Sequence, residues 1–263
     1  MQPGLDLELL ACRLTFRARR PLLFPPPASN RFRGAMGFEL PESLFRPKSA
    51  DGPSGLQDRP RPFTLRAEHL DGTQVLQGDV FELGLNLFLP DPVPFYQALA
   101  ALEWAEMLTF LPVPVTLPLA EPGPLAEPAP VQGRIRVRFA TMTELKPPLP
   151  RGTLPPFEIL ISRLRDRISA LRTFYGPGPL DLDFAAFAER AASVRTAGGA
   201  LVWHDAERRS LRTGQTHPLS GFTGYVDYEG ELAEFIPWLR AGEHTGVGRQ
   251  TVWGKGVLIT ELL

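Results

Sequence analysis

Residues 121–130, Glu-Pro-Gly-Pro-Leu-Ala-Glu-Pro-Ala-Pro, cannot continue a helix or sit in a central strand, because proline lacks an amide hydrogen and fixes φ. Such a stretch is a stiff, polyproline-like spacer. It divides the 263-residue chain into parts of similar length, each large enough to bury a core of its own. Two units are therefore expected, 1–120 and 131–263, joined by the linker 121–130.

In the first unit, Leu7 to Arg17 alternates over its second half and reads as a strand. After Pro25-Pro26-Pro27, Ser29 or Asn30 is placed to cap a helix running to Leu40. Gly34 and Gly37 cost that helix ~1 kcal/mol each, so close packing or close ligand approach is expected to compensate. Residues 49–59 read as a loop, and Arg61–Glu68 and Gly78–Leu89 as strands. Asp91-Pro92 opens a second helix, with Phe95, Ala98, Leu99, Leu102 and Ala105 as its apolar stripe. Leu111–Leu119, with prolines at 112, 114 and 118, fits a short edge strand.

The second unit repeats the order. Gly133–Phe139 alternates, with Arg134, Arg136 and Arg138 on one face, either solvated or turned toward RNA. The helix opened by Thr153, Pro155 and Pro156 carries the stripe Phe157, Leu160, Ile161, Leu164, Ile168, Leu171 and Phe174, with Arg163, Arg165 and Arg167 away from it. Gly176-Pro177 ends it. Leu182–Val194 adds a helix. Ala200–His204 and Gly221–Tyr228 are strands, Leu232–Leu239 is a short helix kinked by Pro237, and Val257–Leu263 closes the chain. Strand-helix-strand-strand-helix-strand, twice, is an α+β pattern of tandem ferredoxin-like (RRM-like) domains.

Composition narrows function. The net charge of −1 excludes a globally basic surface, so any nucleic-acid site is local. Cys12 is the only cysteine, which excludes a disulfide framework and a cysteine zinc site. No apolar run reaches the ~18 residues of a bilayer span, and the N-terminus lacks signal-peptide regions. A soluble, cytoplasmic protein without membrane contact is the expectation. Asp181 and Asp183 form an isolated pair, and no His/Asp/Glu set has ligand spacing. Neither a metal nor another cofactor is expected. No nucleophile-elbow sequence supports a serine hydrolase.

The chemistry-bearing stretch is Gly242–Gly256. Gly246, Gly248, Gly254 and Gly256 flank Arg249, Gln250 and Trp253, with Lys255 between the last two glycines. Glycine allows positive φ and close approach to backbone amides, cations hold phosphates, and an aromatic face stacks bases. The competing reading is a glycine-rich turn before the last strand. Dinucleotide and P-loop templates both fail, because Thr251, Arg249 and Gly256 stand where they require other residues.

In this order of elements, three blocks carry a resemblance to the CRISPR-associated endoribonucleases of the Cas-six family, in the RAMP superfamily. They are Arg33-Gly-Ala-Met-Gly37, then Val137–Lys146 with the following long helix, and then Trp203, Arg209-Ser210 and Leu219–Gly224 with Pro237–Glu243 and the glycine loop. The resemblance implies tandem ferredoxin-like domains and metal-independent cleavage of precursor CRISPR RNA. In that reaction the 2′-hydroxyl attacks the adjacent phosphate and leaves a 2′,3′-cyclic phosphate. It implies CRISPR repeat RNA as partner, other CRISPR effector subunits as candidate partners, and a monomer or homodimer. It also makes Arg31, Arg33, Gly246, Gly248, Arg249, Gln250, Trp253, Gly254 and Gly256 candidate RNA-binding residues.

Such cleavage needs a base for the 2′-hydroxyl, an acid for the 5′-oxygen and cations for the phosphorane. Many relatives carry a histidine in or beside the first helix, often directly after the Arg-Gly-Ala-x-Gly block. Here Phe38 occupies that position, and no histidine lies between residues 1 and 68. The alternative expectation is therefore a catalytically inactive RNA-binding subunit of a CRISPR ribonucleoprotein. His244, before the glycine loop, either reaches RNA or caps the preceding helix. His217, in a polar segment, either acts in catalysis or bonds to backbone. His69 reads as a turn residue and His204 as structural, with Asp205 able to orient it. His244, His217 and Lys255 are the catalytic candidates, with Lys255 as phosphorane stabiliser and Arg249 as phosphate clamp.

Overall fold

A computed structural model describes residues 5–48, 59–117, 133–205, 207–209, 216–218 and 220–263. Almost all of the expected loop 49–59 and the whole linker 121–130 lie outside these residues.

The first half contains β1 (Leu7–Ala18), β2 (Leu22–Leu23), α1 (Ser29–Glu39), α2 (Glu42–Phe45), β3 (Phe63–Arg66), β4 (Gln74–Val75), β5 (Val80–Leu87), α3 (Val93–Ala100) and β6 (Ala105–Leu117). The second contains β7 (Gly133–Thr143), α4 (Phe157–Tyr175), α5 (Phe184–Ala192), β8 (Arg195–His204), β9 (Glu207–Arg209), β10 (Thr216–Pro218), β11 (Gly221–Gly230), α6 (Ile236–Thr245) and β12 (Leu258–Leu262). The two main sheets run β3-β5-β1-β6 and β12-β7-β11-β8, antiparallel throughout. Both have the strand order of a ferredoxin-like unit, so the chain is a tandem of that fold.

The alternation of β1 changes phase in mid-strand. Cys12, Leu14, Phe16 and Ala18 point into the first core, whereas Leu7 and Leu9 belong to the second. Because successive side chains point to opposite faces, this phase change lets one strand serve both cores. Leu5, Phe88 and Leu117 also join the second core, so the halves share apolar contact. Burying a side chain of this size contributes about 1.5–3 kcal/mol.

Several expectations change in detail. The position before α1 is Ala28, without a side-chain cap; Ser29 is already helical and its hydroxyl is used elsewhere. Asp71 Oδ1 instead accepts the Ala28 N–H at 2.7 Å. A Cβ at Gly37 would meet the Phe45 ring at 2.7 Å, so close packing accounts for that glycine, whereas Gly34 has nothing within 4 Å. Helix α3 stops at Ala100, and Ala105 starts β6. That strand is much longer than expected and runs through Pro112 and Pro114, which its edge position permits. Pro237 lies in the first turn of α6 and does not kink it. Arg165, away from the apolar stripe, is buried over the Phe184 ring. Asp183 caps α5, accepting from the Ala185 and Ala186 N–H groups.

Candidate functional site

The connection between α6 and β12, residues 246–257, forms the site. Helix α6 ends where Gly246 takes φ 68° and donates its N–H to the Gly242 carbonyl. The last carbonyls of α6 meet side chains from both halves. Arg66 donates to Glu243, Thr64 and Asn86 to His244 (3.0 and 2.9 Å), and Arg167 to Thr245 (3.3 Å). These contacts satisfy acceptors that a helix end leaves open, and they fix the angle at which the loop departs.

The loop then folds onto the protein. Val247 N–H donates to Gly256 O, Arg249 N–H to Glu144 O and Gly256 N–H to Met142 O, at 2.9–3.0 Å. Gln250 (φ 62°) and Gly254 (φ 74°), both left-handed, bracket a short 3₁₀ turn, Thr251–Trp253. This turn enters the first half, where Val252 is buried in the core of the first sheet. Ser29 Oγ on α1 donates to the Trp253 carbonyl at 2.6 Å.

These contacts correct the reading of the glycines as room for a ligand. A Cβ at Gly254 would lie 2.0 Å from Ser29 Oγ, and one at Gly256 would lie 2.0 Å from Val247 O. Both residues also need positive φ. The room that glycine makes is filled by the protein itself. At Gly248 the neighbour is Glu144 O, at 2.3 Å, and at Gly246 it is the Thr251 methyl, at 3.1 Å. Between Thr245 and Leu258, Arg249 is the one exposed residue.

Lys255 is buried, and its Nζ donates to Ser220 O (2.9 Å), Gln250 Oε1 (3.0 Å) and Glu144 Oε2 (3.4 Å). Burial lowers its pKa, and the Glu144 carboxylate opposes that shift. The other Glu144 oxygen accepts from Arg249 Nη1 at 2.7 Å. Glu144 is thus the hub of the loop, binding both cations through its carboxylate and the Arg249 amide through its carbonyl. Sequence reading missed it. The only local signal is a carboxylate at the end of an alternating strand, which does not name its partners.

Arg33 is also buried, its guanidinium 4.5 Å from the Trp253 ring centroid and 4.9 Å from that of Phe45. The indole expected to stack a base thus carries an arginine from α1. Arg31 does not join this cluster. Two residues along a helix point nearly opposite ways, and Arg31 lies over Trp104 at 4.7 Å while donating to Leu23 O.

The four histidines are dispersed. His244 is half-buried, and burial followed by the Arg66 charge lowers its pKa, so the ring is neutral at pH 7. It borders a cavity of only about 10 Å³ with Thr64, Arg66, Thr251 and Lys255. The α6 carbonyls it was expected to cap are held by the other side chains described above. His217 lies on β10 opposite Arg208, and its side chain is outside the described residues. His204 Nε2 is 2.7 Å from Thr223 Oγ1, while Asp205 pairs with Arg151 and does not orient the imidazole. His69 is exposed, with Nε2 3.1 Å from Glu82 O, beside a cleft of about 570 Å³ that Arg13 and Arg66 also line. Phe38 is 82% exposed. Among the described residues no group of three or more His, Cys, Asp or Glu could hold a metal ion, and no helix is long and apolar enough to cross a membrane.

Residues 137–258 match the family model described as CRISPR-associated endoribonuclease Cas6, a span that takes in Glu144 and the whole glycine loop. No curated protein sequence matches the chain. Among solved structures, Thermus thermophilus Cas6 superposes with a TM-score of 0.54 at 22% identity, covering 96% of this chain and 98% of that one. A product complex of the same Cas6 gives 0.56, also at 22%, covering 96% and 100%. A partial Cas6-RT-Cas1–Cas2 complex gives 0.64 at 11%, covering all of this chain, which spans only 47% of that longer one. The structural likenesses carry the fold, and the family model makes the second half, with the loop and its supporting strands, similar to the CRISPR-associated endoribonuclease Cas6.

Proposed function

We propose that the protein binds CRISPR repeat RNA and cuts precursor crRNA without a metal ion. The 2′-oxygen forms a bond to the adjacent phosphorus and the bond to the 5′-oxygen breaks. A base takes the 2′-hydroxyl proton and an acid protonates the departing 5′-oxygen, leaving a 2′,3′-cyclic phosphate and a 5′-hydroxyl. The observation that carries this reading is the family match across residues 137–258. Solved Cas6 relatives with product and with a substrate mimic are consistent with it. Arg249 is exposed and held at its inner side by Glu144, as a phosphate clamp requires. His244, neutral at pH 7, and His217 are the candidate bases. Lys255 acts through Glu144 and Gln250, setting the loop from beneath rather than from the RNA side.

One observation favours a second reading, binding without cleavage. Phe38, rather than a histidine, stands exposed after the α1 glycine. Purified protein incubated in EDTA with the repeat RNA encoded beside its gene separates the two. Cyclic-phosphate product, abolished by His244→Ala or His217→Ala with binding intact, is the expected result. Tight binding without product at excess enzyme establishes the second reading. Absence of RNA affinity in the wild-type protein would reject the proposal.

A further inference from the structure

The face of the second sheet away from its core, where Arg138, Ala200 and Val202 are exposed, has an organised centre. Strand β11 contains Gly224-Tyr225-Val226-Asp227-Tyr228. These residues follow the last five positions of the eight-residue signature of RNA-binding sheets (Gly or Ala, Phe, Val, any, Phe or Tyr), with Tyr225 in place of the Phe. The three positions before them, Gly221, Phe222 and Thr223, do not fit. Val226 and Tyr228 are fully buried in the core, and the Tyr228 hydroxyl donates to Pro155 O. Strand alternation places Tyr225 and Asp227 on the opposite face. Strand β11 is central in its sheet, paired with β7 and β8.

Asp227 holds Arg136 in a two-point grip, Nε to Oδ1 at 2.7 Å and Nη2 to Oδ2 at 3.0 Å, and Arg134 Nη2 adds a bond at 2.9 Å. The hydrogen bond from Arg136 leads in keeping the Asp227 carboxyl below its usual pKa. So held, the Arg136 guanidinium lies 4.1 Å from the Tyr225 ring centroid, and a third of its side chain stays exposed. Along the same row, Tyr225 has Arg138 opposite it on β7 and Ala200 opposite it on β8, both exposed. Val202, 60% exposed, and Ile259, 36% exposed, extend the face. No long side chain stands on the β8 flank of Tyr225 at this row. A cationic plane fixed on an aromatic ring, next to a second cation and small residues, has the chemistry that receives an unpaired base and its phosphate.

We propose that this face binds single-stranded RNA continuous with the segment held at the glycine loop. One base stacks on the Arg136 guanidinium over Tyr225, and Arg138 contacts the neighbouring phosphate. The inference rests on the RNA-binding function proposed above, and its test separates the two. The probes are the repeat RNA with a single-stranded uridine tail at its 5′ or its 3′ end, and the same RNA untailed, measured by fluorescence anisotropy.

Wild type is expected to bind one tailed form more tightly than the untailed RNA. Tyr225→Ala, Arg138→Ala and Arg136→Lys, which keeps the charge but not the plane, each remove about tenfold of the tailed affinity, the scale of one lost stack. They leave untailed binding unchanged. Tyr225→Leu, which preserves bulk, serves where Tyr225→Ala lowers the melting temperature, and is expected to show the same selective loss. Equal loss on tailed and untailed RNA, or no loss, overturns the inference while untailed binding still upholds the function. Unchanged binding of both RNAs with loss of a protein partner assigns the face to protein contact and also overturns it. If wild type binds no RNA, both readings fail together.

Discussion

The two halves have the same strand order but different connections from their last helix to their last strand. In the first half, residues 101–104 suffice to pass from α3 to β6; in the second, residues 246–257 separate α6 from β12. The short connection only closes its fold. The long one crosses to the other half, puts Val252 into its core and seats Trp253 under Arg33. The repeated sheets share a strand order, and the long connection is the segment that breaks the repetition. Consequently the loop cannot move independently of α1, the helix whose end carries Phe38 in place of a histidine.

The hardest way to break this asymmetry is to add a Cβ where the loop closes on itself. Gly256→Ala places a carbon 2.0 Å from Val247 O at φ 72°. Overpacking and left-handed strain together cost about 3 kcal/mol, a fall in melting temperature of several degrees by calorimetry, with loss of RNA affinity. Gly34→Ala is its control in the first half. With nothing within 4 Å of the added carbon, it is expected to raise stability by about 0.5–1 kcal/mol.

Lys255→Met tests whether the buried cation is structural. It leaves Gln250, Ser220 and Glu144 without their shared donor. A loss of about 1.5–3 kcal/mol is expected in chemical denaturation, since these acceptors lose a charged donor. Faster amide exchange is expected within 246–257, with the first sheet unaffected. If RNA cleavage falls while loop protection is unchanged, Lys255 acts on the RNA directly.

The smallest effect concerns pH. His244 has a folded pKa below its unfolded value near 6.5, through burial and then Arg66. The unfolded chain therefore takes up the proton first. Stability is complete above the unfolded pKa and declines as pH falls from it toward the folded value. His244→Gln is expected to flatten the melting temperature between pH 7.5 and 5.5; an unchanged slope would assign that dependence to other groups.

The strands and helices were legible because burial imposes periodicity. Of the expected stripe Phe157, Leu160, Ile161, Leu164, Ile168, Leu171 and Phe174, all are buried except Phe174, which is half-buried at the end of α4. Boundaries were less so, because β6 tolerates Pro112 and Pro114 only by lying at an edge, and edge position is a property of the sheet. In the site, glycine and cation types could be read, but their tasks could not. Arg33 and Lys255 look like ligand-facing cations in a string of letters. Each is instead enclosed by partners far along the chain, Trp253 for one and Glu144 for the other.

The sequence by itself determined the twofold strand-helix order, because alternation and helical spacing are local consequences of burying one face. It also determined that the last connection would be rich in left-handed backbone, because few residues other than glycine accept it. Only the tertiary structure decided what those glycines approach, that Glu144 gathers both cations, and that Arg249 alone is left exposed between Thr245 and Leu258. The approaches of Gly254 to Ser29 and Gly248 to Glu144, and the Glu144 bonds to both cations, join segments more than a hundred residues apart, and close approach is a property of the folded pair rather than of either segment.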